Sequence, residues 1–273
     1  MKLKHLPFLL GRKVSPQTYG HESVTVDLSK DGRVQFAHWL HPQNRRKLIS
    51  QEIVDELRTF LSPGDVAIDI GAHSGDSTLP MALAAGPTGC VLAFEPNPYV
   101  FPILQANAAL NPEKTRIVPR MVAATAKDGE IEFEYSDSGF CNGGRHEGVS
   151  RLLHGHVFSL SVQGRNLVSL VEREYPELLP RVRYLKVDAE GYDLTVLQSL
   201  EKLITSARPF INVEVFKWTS RENRVALFRF LTDRGFAIHR VLDESHYRGE
   251  ILEEADVMRW RHFDVFCVPE SHL

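Results

Sequence analysis

Five short apolar segments, most of them followed by residues with helical periodicity, constrain the fold of this chain more than any other feature. Each has the length and hydrophobicity of a strand buried on both faces: VAIDI (66–70), CVLAFE (90–95), RIVPRMVAA (116–124), RYLKVDAE (183–190) and PFINVEVF (209–216). Strands that alternate with helices indicate a parallel sheet covered on both faces. Two late segments, FAIHRVL and HFDVFCV, are expected to close the sheet as a hairpin-like pair. The predicted fold is α/β, with a doubly wound, mostly parallel seven-stranded sheet.

The residues before this pattern are predicted to form a small β/α appendage at 1–45. SVTVDL and GRVQFAHWL alternate as two strands, with SKDG as the turn between them. SQEIVDELRTFL then places its apolar residues on one helical stripe. The main domain is expected to cover 46–273. It contains a lid-like insertion at about 136–160, where a stretch rich in Gly and His has no clear period.

Composition excludes several classes of protein. The chain has 32 Lys and Arg against 35 Asp and Glu, a net charge of −3, which gives no support to nucleic-acid binding. The three cysteines lie far apart and form no CxxC pair, so a zinc ribbon or a disulfide framework is not expected. No apolar stretch approaches the roughly 20 residues of a membrane span. We therefore expect a reduced, cytoplasmic protein, whose oligomeric state the sequence does not reveal.

The first strand ends in a loop with almost no side chains, GAHSG, and a helix resumes after it. Gly71 and Gly75 remove Cβ atoms where a ligand could rest against the main chain. Asp76 and Ser77 are both good N-caps, and the free N–H groups of the helix favour an anionic group. The spacing is GxxxG, with His73 where the dinucleotide fingerprint GxGxxG has its second glycine. This difference favours a ligand without a diphosphate.

The second strand ends in an acid, Glu95, 26 residues after Asp69. A carboxylate there can accept hydrogen bonds from both hydroxyls of a ribose. Asn97 is expected to cap the next helix with Pro98 at its first position, and Pro102 predicts a kink or a late start. Together the two loops fit an adenosine that carries an amino acid, which is S-adenosylmethionine. In the alternative interpretation the glycines only form a tight turn and Glu95 is a solvated strand-end acid.

Four segments resemble the FkbM family of S-adenosylmethionine-dependent methyltransferases: VAIDIGAHSGDSTLPMA, VLAFEPNPYVFPILQANAAL, DGEIEF and YLKVDAEGYDLTVLQSL. The resemblance runs from about residue 63 to 216. It implies a class I, Rossmann-like methyltransferase that mostly acts on sugar or polyketide hydroxyls. It also carries the cofactor role onto Asp69, Gly71, Gly75 and Glu95. The family often has Gly-Ala-Asn in the first loop, whereas this chain has His73 in the position of the Asn.

The residues expected to contact the cofactor form two strand ends and the loops behind them: Asp69, Gly71, His73, Ser74, Gly75, Ser77, Thr78, Glu95, Pro96, Asn97, Ala123 and Asp188. A hydroxyl acceptor must also lose its proton, so a base or a metal is needed beside them. Asp188, Glu190 and Glu214 lie at the ends of adjacent predicted strands, and His73 is a fourth candidate. Neighbouring carboxylates could act as a base, hold a divalent cation, or cap the following helix. A metal is possible but not expected.

The function predicted from these features is S-adenosylmethionine-dependent O-methylation of a carbohydrate or related natural product. The partner is then a small-molecule or glycan acceptor. An NAD(P)-dependent oxidoreductase and a non-catalytic cofactor-binding module are the alternatives. His146, His154 and His156 lie in the insertion without an acid or Cys at ligand spacing, so we expect a lid there rather than a metal site.

Overall fold

The computed structural model describes residues 16–47, 49–135, 139–141, 143–144 and 158–272. In chain order the strands are β1 (His21–Leu28), β2 (Gly32–Trp39), β3 (Val66–Ile70), β4 (Cys90–Phe94), β5 (Ile117–Arg120), β6 (Ala123–Ala124), β7 (Gly129–Tyr135), β8 (Gly143–Gly144), β9 (Phe158–Arg165), β10 (Val182–Val187), β11 (Phe210–Val215), β12 (Phe236–Arg240) and β13 (Phe263–Pro269). The helices are α1 (Gln51–Leu57), α2 (Thr78–Ala85), α3 (Phe101–Ala109), α4 (Leu167–Glu174), α5 (Asp193–Ser199), α6 (Glu201–Ala207) and α7 (Arg221–Thr232).

The seven predicted segments form one sheet, in the order β12-β13-β11-β10-β3-β4-β5. β3, β4, β5, β10 and β11 pair in parallel, and β13 runs antiparallel between β11 and β12. The predicted mostly parallel sheet with a late hairpin is therefore confirmed. The strand order reverses at β3 and β10, so the carboxyl ends of these two strands meet where such sheets bind ligands.

Both faces of the sheet are covered, as the continuous hydrophobicity of its strands predicts. One apolar cluster joins the sheet to α4, α5, α6 and α7. The other joins the opposite face to α1, α2 and α3 and to the β1–β2 hairpin. The predicted helix DLTVLQSLEKLI is divided into α5 and α6 at Leu200, whose backbone angles of φ −99° and ψ 6° depart from the helix.

The predicted strand RIVPRMVAA is wrong as a single element. β5 stops at Arg120, where the N–H of Val122 bonds back to the Arg120 carbonyl and turns the chain. β6 then joins a separate four-stranded sheet of order β6-β9-β7-β8. That sheet contains the predicted strand GEIEFEY as β7. Most of the predicted lid insertion, with His146, His154 and His156, lies outside the described residues.

The β1–β2 hairpin is joined to α3 by two buried asparagines. Asn107 accepts a hydrogen bond from the N–H of Ala37 at 2.7 Å and donates to the Ala37 carbonyl at 2.9 Å. Asn111 makes the same pair of bonds to Gln35 at 2.9 and 2.8 Å. The described part of the N-terminal segment thus shares polar contacts and apolar core with the main sheet. The proposed boundary at 45 stays a prediction.

No helix in the described ranges has both the length and the apolar character that crossing a bilayer requires.

Candidate functional site

A cleft of about 610 Å³ lies at the carboxyl ends of β3, β4 and β10, and we call it the main cleft. Its walls come from five parts of the chain: the first loop, the end of β4, the turn after β10, strand β7 and the segment after β2. Its lining residues are Gln43, Asn44, Arg45, Lys47, Gly71, His73, Asp76, Ser77, Glu95, Pro96, Asn97, Phe133, Tyr135, Cys141, Lys186, Asp188, Ala189 and Glu190.

Glu95 is buried in the wall of the main cleft and binds two main-chain donors. Its Oε2 accepts the N–H of His73 at 2.9 Å, and its Oε1 accepts the N–H of Asn97 at 2.8 Å. The residue is only 6% exposed, so it is not a solvated strand-end acid. Burial raises the pKa of its carboxyl group to about 7, against the opposing effect of the two hydrogen bonds. Each carboxylate oxygen keeps a further lone pair for a ligand hydroxyl.

The two glycines of the first loop are required by contacts within the protein. Gly71 has φ +79°, and a Cβ at this position would lie 2.0 Å from the carbonyl oxygen of Asp188. Gly75 has φ +92°, and its Cβ would meet Leu104 at 3.1 Å and Asn107 at 3.4 Å. Gly71 lines the main cleft and Gly75 does not. The prediction that the missing Cβ atoms leave room for a ligand is therefore wrong, since the protein itself occupies that space: Asp188 at Gly71 and α3 at Gly75.

The buried Asp69 stabilises the end of the first loop through hydrogen bonds to the residues that follow it. It is fully buried, and its Oδ2 accepts the hydroxyls of Ser77 at 3.1 Å and Thr78 at 2.6 Å. Ser77 is the N-cap of α2 by position, but its side chain makes no cap hydrogen bond, because it is directed to Asp69. Asp76 forms an ion pair with Lys47 at 2.8 Å instead. The expected side-chain caps at 76 and 77 are thus replaced by contacts that fix the loop.

His73 has a left-handed backbone, with φ +48°, and lines the main cleft. Its ring packs against Trp39 with the ring centroids 5.4 Å apart, and it hydrogen-bonds the backbone of Cys141. Burial lowers the pKa of the imidazole, so the ring is neutral near pH 7. These contacts give the side chain a structural role at the wall.

Asn97 binds the loop beside it and does not cap a helix. Its Oδ1 accepts the N–H of Tyr99 at 2.9 Å, and its Nδ2 donates to the carbonyl of Phe140 at 2.6 Å. α3 begins later, at Phe101, with Pro102 in its first turn. This is the late start that the proline predicts.

The predicted cofactor contacts divide into two groups. Seven of them line the main cleft: Gly71, His73, Ser77, Glu95, Pro96, Asn97 and Asp188. Five others are absent from the described lining, namely Asp69, Ser74, Gly75, Thr78 and Ala123. The Ser74 carbonyl binds Asn107, and Ala123 pairs with Gly164 in the small sheet. These five therefore support the walls and do not form them.

Two lysines that line the main cleft were not among the site residues predicted from the sequence. Lys186 donates to Oδ2 of Asp188 at 3.2 Å and lies 3.7 Å from Oδ1 of Asp69. Burial alone would lower the pKa of Lys186, but the carboxylates around it, Asp188 first, raise it above its usual value. Lys47 bridges Asp76 at 2.8 Å and Glu244 at 3.2 Å, and Asp76 raises its pKa. A lysine inside the buried strand YLKV is a signal that could have revealed Lys186, whereas Lys47 has no such signal.

The predicted carboxylates are only partly brought together. Asp188 and Glu190 both line the main cleft, and burial followed by the charge of Asp188 raises the pKa of Glu190 to about 7. Glu214 does not line it, and its Oε1 lies 2.6 Å from Nε2 of His262. Asp193, also missed, accepts the N–H groups of Ala189 and Gly191 at 2.7 and 3.0 Å. It thereby fixes the turn for which a cap by Asp188 or Glu190 was one of the alternatives.

The chemistry of the main cleft fits an adenosyl amino acid better than a metal ion. Glu95 offers free acceptor positions for hydroxyls, while Phe133 and Tyr135 offer apolar surface. The lysine and carboxylate side chains at the other end can bind charged groups. Within the described ranges, no group of three His, Cys, Asp or Glu residues has an arrangement that could hold a metal ion.

Comparison with known proteins finds related methyltransferases. The hexuronic acid methyltransferase AglP of Haloferax volcanii is 28% identical over 165 residues, 60% of this chain and 62% of AglP. The match thus spans less than two thirds of that relative. The methyltransferase sdnD of Sordaria araneosa is 25% identical over 196 residues, 63% of this chain and 74% of sdnD. The crystal structure of the methyltransferase FkbM from Methylobacillus flagellatus has a TM-score of 0.47 and 13% identity, and covers 76% of this chain and 44% of its own.

The family model described as the methyltransferase FkbM domain matches residues 69–248, which is more than half of the chain. That range begins at Asp69, includes the first loop, Glu95 and the Asp188–Glu190 turn, and extends beyond β12. The chain belongs to the FkbM methyltransferase domain family.

Proposed function

We propose that the protein transfers a methyl group from S-adenosylmethionine to a hydroxyl of a carbohydrate or a related natural product. The observation that carries this proposal is Glu95, a buried carboxylate whose two main-chain bonds leave acceptor positions within the main cleft. The family of the chain and the two relatives AglP and sdnD, both named as methyltransferases, support methyl transfer.

Glu95 links recognition of a ribose to the shape of the first loop. Its carboxylate is held by the N–H groups of His73 and Asn97, so it cannot rotate out of the wall without leaving both donors unpaired. Such an arrangement is preorganised for two hydroxyl donors. A bound S-adenosylmethionine supplies the activated methyl group, and the protein then has to align an acceptor with it.

The acceptor class is proposed from the relative AglP, which is named as a hexuronic acid methyltransferase. A sugar hydroxyl is far from ionised near pH 7, so a nearby base is expected. Of the four candidates from the sequence, Asp188 and Glu190 remain at the main cleft with acidic side chains. His73 is neutral, but it is tied to Cys141 and packed on Trp39.

A reducing, cytoplasmic setting is proposed with the same function. Cys90, Cys141 and Cys267 are buried, and none of them forms a disulfide. They have no need of an oxidising compartment.

Calorimetry on the purified protein tests the cofactor. We expect S-adenosylhomocysteine to bind the wild type. Glu95→Ala should weaken this binding by about 2–4 kcal/mol, since two hydrogen bonds to a charged group are lost. Glu95→Gln, which keeps the shape of the side chain, is the matched variant and should lose less. Micromolar affinity for NADH with none for S-adenosylmethionine would contradict the proposal and favour an oxidoreductase.

Transfer itself is tested by incubation with S-adenosylmethionine carrying a labelled methyl group and a panel of glycosides and glycuronides. We expect label in a glycan ether. Cofactor binding without transfer to any member of a broad panel would favour the binding-module alternative.

A further inference from the structure

A second cavity of about 350 Å³ continues from the main cleft on the side of β11 and β13, and we call it the side cavity. Lys47, Ser77, Lys186 and Asp188 line both spaces, so the two are contiguous across the ion pair of Lys186 with Asp188. The volume is at the lower end of small-molecule sites, which span about 300–1,000 Å³. It is large enough for a single ring beside the cofactor.

The topology explains why polar groups collect in the side cavity. β13 is antiparallel, so its first residues lie at the edge where the parallel strands end. Asp264, the second residue of β13, is the register partner of Glu214 on β11. The residues after β12, including Asp243 and Glu244, reach the same edge. The late hairpin thus places side chains beside Asp188 that are distant from it in sequence.

Asp264 is the carboxylate of the side cavity with the fewest restraints. The residue is half-buried, and among the described residues its side chain makes no hydrogen bond or ion pair. Burial, followed by the charge of Asp188, raises its pKa to about 6. A carboxylate in that range is largely ionised at neutral pH and is a stronger base than an exposed Asp.

The walls of the side cavity match a ring that carries several hydroxyls. Charged and amide side chains, among them Arg240 and Asn212, supply hydrogen-bond donors and acceptors. Tyr247 and Phe263 add apolar surface of the kind that packs on the face of a sugar ring. Leu242, which is 58% exposed, stands at the rim.

We propose that the side cavity binds the acceptor as a monosaccharide-sized ring, and that Asp264 is the catalytic base that takes the proton of the acceptor hydroxyl. This inference rests on the proposed function. The acceptor O–H bond breaks and its proton passes to an Oδ of Asp264, while the oxygen forms a bond to the methyl carbon. The methyl–sulfur bond breaks with its electron pair on sulfur, giving a methyl ether and S-adenosylhomocysteine. The neutral Asp264 then returns its proton to solvent.

Glu190 and Glu214 fit this role less well than Asp264. Glu190 lines the main cleft but not the side cavity, so it lies on the cofactor's side of Asp188. Glu214 is 8% exposed, lines neither space and is held by His262 at 2.6 Å. Asp188 borders both spaces, but Lys186 binds its carboxylate. We assign Asp188 and Lys186 to the boundary between cofactor and acceptor.

The test compares Asp264→Asn with Glu190→Gln, and uses the exposed Asp233→Asn as the control for charge removal. S-Adenosylhomocysteine affinity by calorimetry should change less than about threefold in Asp264→Asn. The melting temperature of the Asp264→Asn protein at pH 8 should not fall, because the amide replaces a half-buried charge with a neutral group of the same shape. In Asp264→Asn, the turnover of methyl β-D-glucuronide or methyl β-D-glucoside should fall about 10²- to 10⁴-fold, as expected for loss of a general base.

A second measurement locates the ring directly. Crystals of the protein with S-adenosylhomocysteine are soaked in each methyl glycoside, and we expect a ring in the side cavity with a hydroxyl on Asp264. Normal turnover in Asp264→Asn, a ring bound elsewhere, or no binding of either glycoside to the cofactor complex would each overturn this inference alone. Failure of the wild type to bind S-adenosylhomocysteine would overturn the proposed function, and the inference with it.

Discussion

The main cleft and the side cavity share a border but are built in different ways. The first loop and Glu95 shape the main cleft mostly through main-chain groups, such as the N–H groups of His73 and Asn97 that bind Glu95. The side cavity is lined by side chains from several elements: the late hairpin and the residues after β12, the helices α1 and α2, the strands β10 and β11, and Lys47 from the segment after β2. We infer that cofactor recognition depends mainly on the geometry of main-chain groups, whereas acceptor recognition depends on side chains that tertiary packing brings together.

The largest effect is expected from a methyl group added to the backbone of the main cleft. Gly71→Ala places a Cβ 2.0 Å from the Asp188 carbonyl oxygen, at a φ of +79° that Ala rarely adopts. We expect a loss of about 2–5 kcal/mol in the free energy of unfolding. Urea unfolding measures it. Gly20→Ala is the control, since its Cβ would meet no atom within 4 Å. A Gly71→Ala protein as stable as the wild type would show that the loop is not held by this contact.

The difference between the two spaces also explains how much the sequence could reveal. VAIDI, CVLAFE and the loops after them are local patterns, so the sheet, the main cleft and the position of Glu95 at a strand end could all be predicted. The roles of Gly75 and Asn97 could not, because Leu104 and Phe140, which they contact, are distant in sequence. Asp264 gives no local signal, since its position beside Asp188 depends on the antiparallel direction of β13.

A smaller loss is expected where the hairpin joins the main cleft. Asn107 is fully buried and binds Ala37 on β2 and the Ser74 carbonyl of the first loop. Asn107→Ala leaves these main-chain groups unpaired and should lower the free energy of unfolding by about 2–3 kcal/mol. It should also weaken S-adenosylhomocysteine binding, because the loop loses a support.

Asn111→Ala is the matched control for Asn107→Ala. Asn111 makes the same two bonds to Gln35, and its side chain makes no hydrogen bond to the first loop within the part of the chain that the structure describes. We expect a similar loss of stability with unchanged cofactor affinity. Equal effects of both variants on affinity would show that the hairpin as a whole, and not the Ser74 contact, supports the main cleft.

The pH dependence of cofactor affinity tests the charge on Glu95. Its pKa in the free protein is about 7, and ribose hydroxyls bind the ionised carboxylate better than the neutral acid. Binding therefore releases a proton, and affinity should rise as pH increases toward 7 and level off above it, by up to about tenfold per unit below the pKa. Calorimetry from pH 5.5 to 8.5 measures this. Glu95→Gln should remove the slope, and a slope that persists in that variant would assign it to another group.

The smallest effect is expected at the border of the two spaces, where Lys47 binds Asp76 and Glu244. Lys47→Met keeps much of the side-chain length and removes the charge. Because the lysine side chain is 48% exposed, solvent already screens the pair, and we expect less than about 1 kcal/mol of stability to be lost. Asp76 should respond more clearly. Burial raises its pKa, but Lys47 brings it down to about 2, so the Asp76 pKa measured by NMR titration should rise in the variant. An unchanged Asp76 pKa would show that the ion pair does not persist in solution.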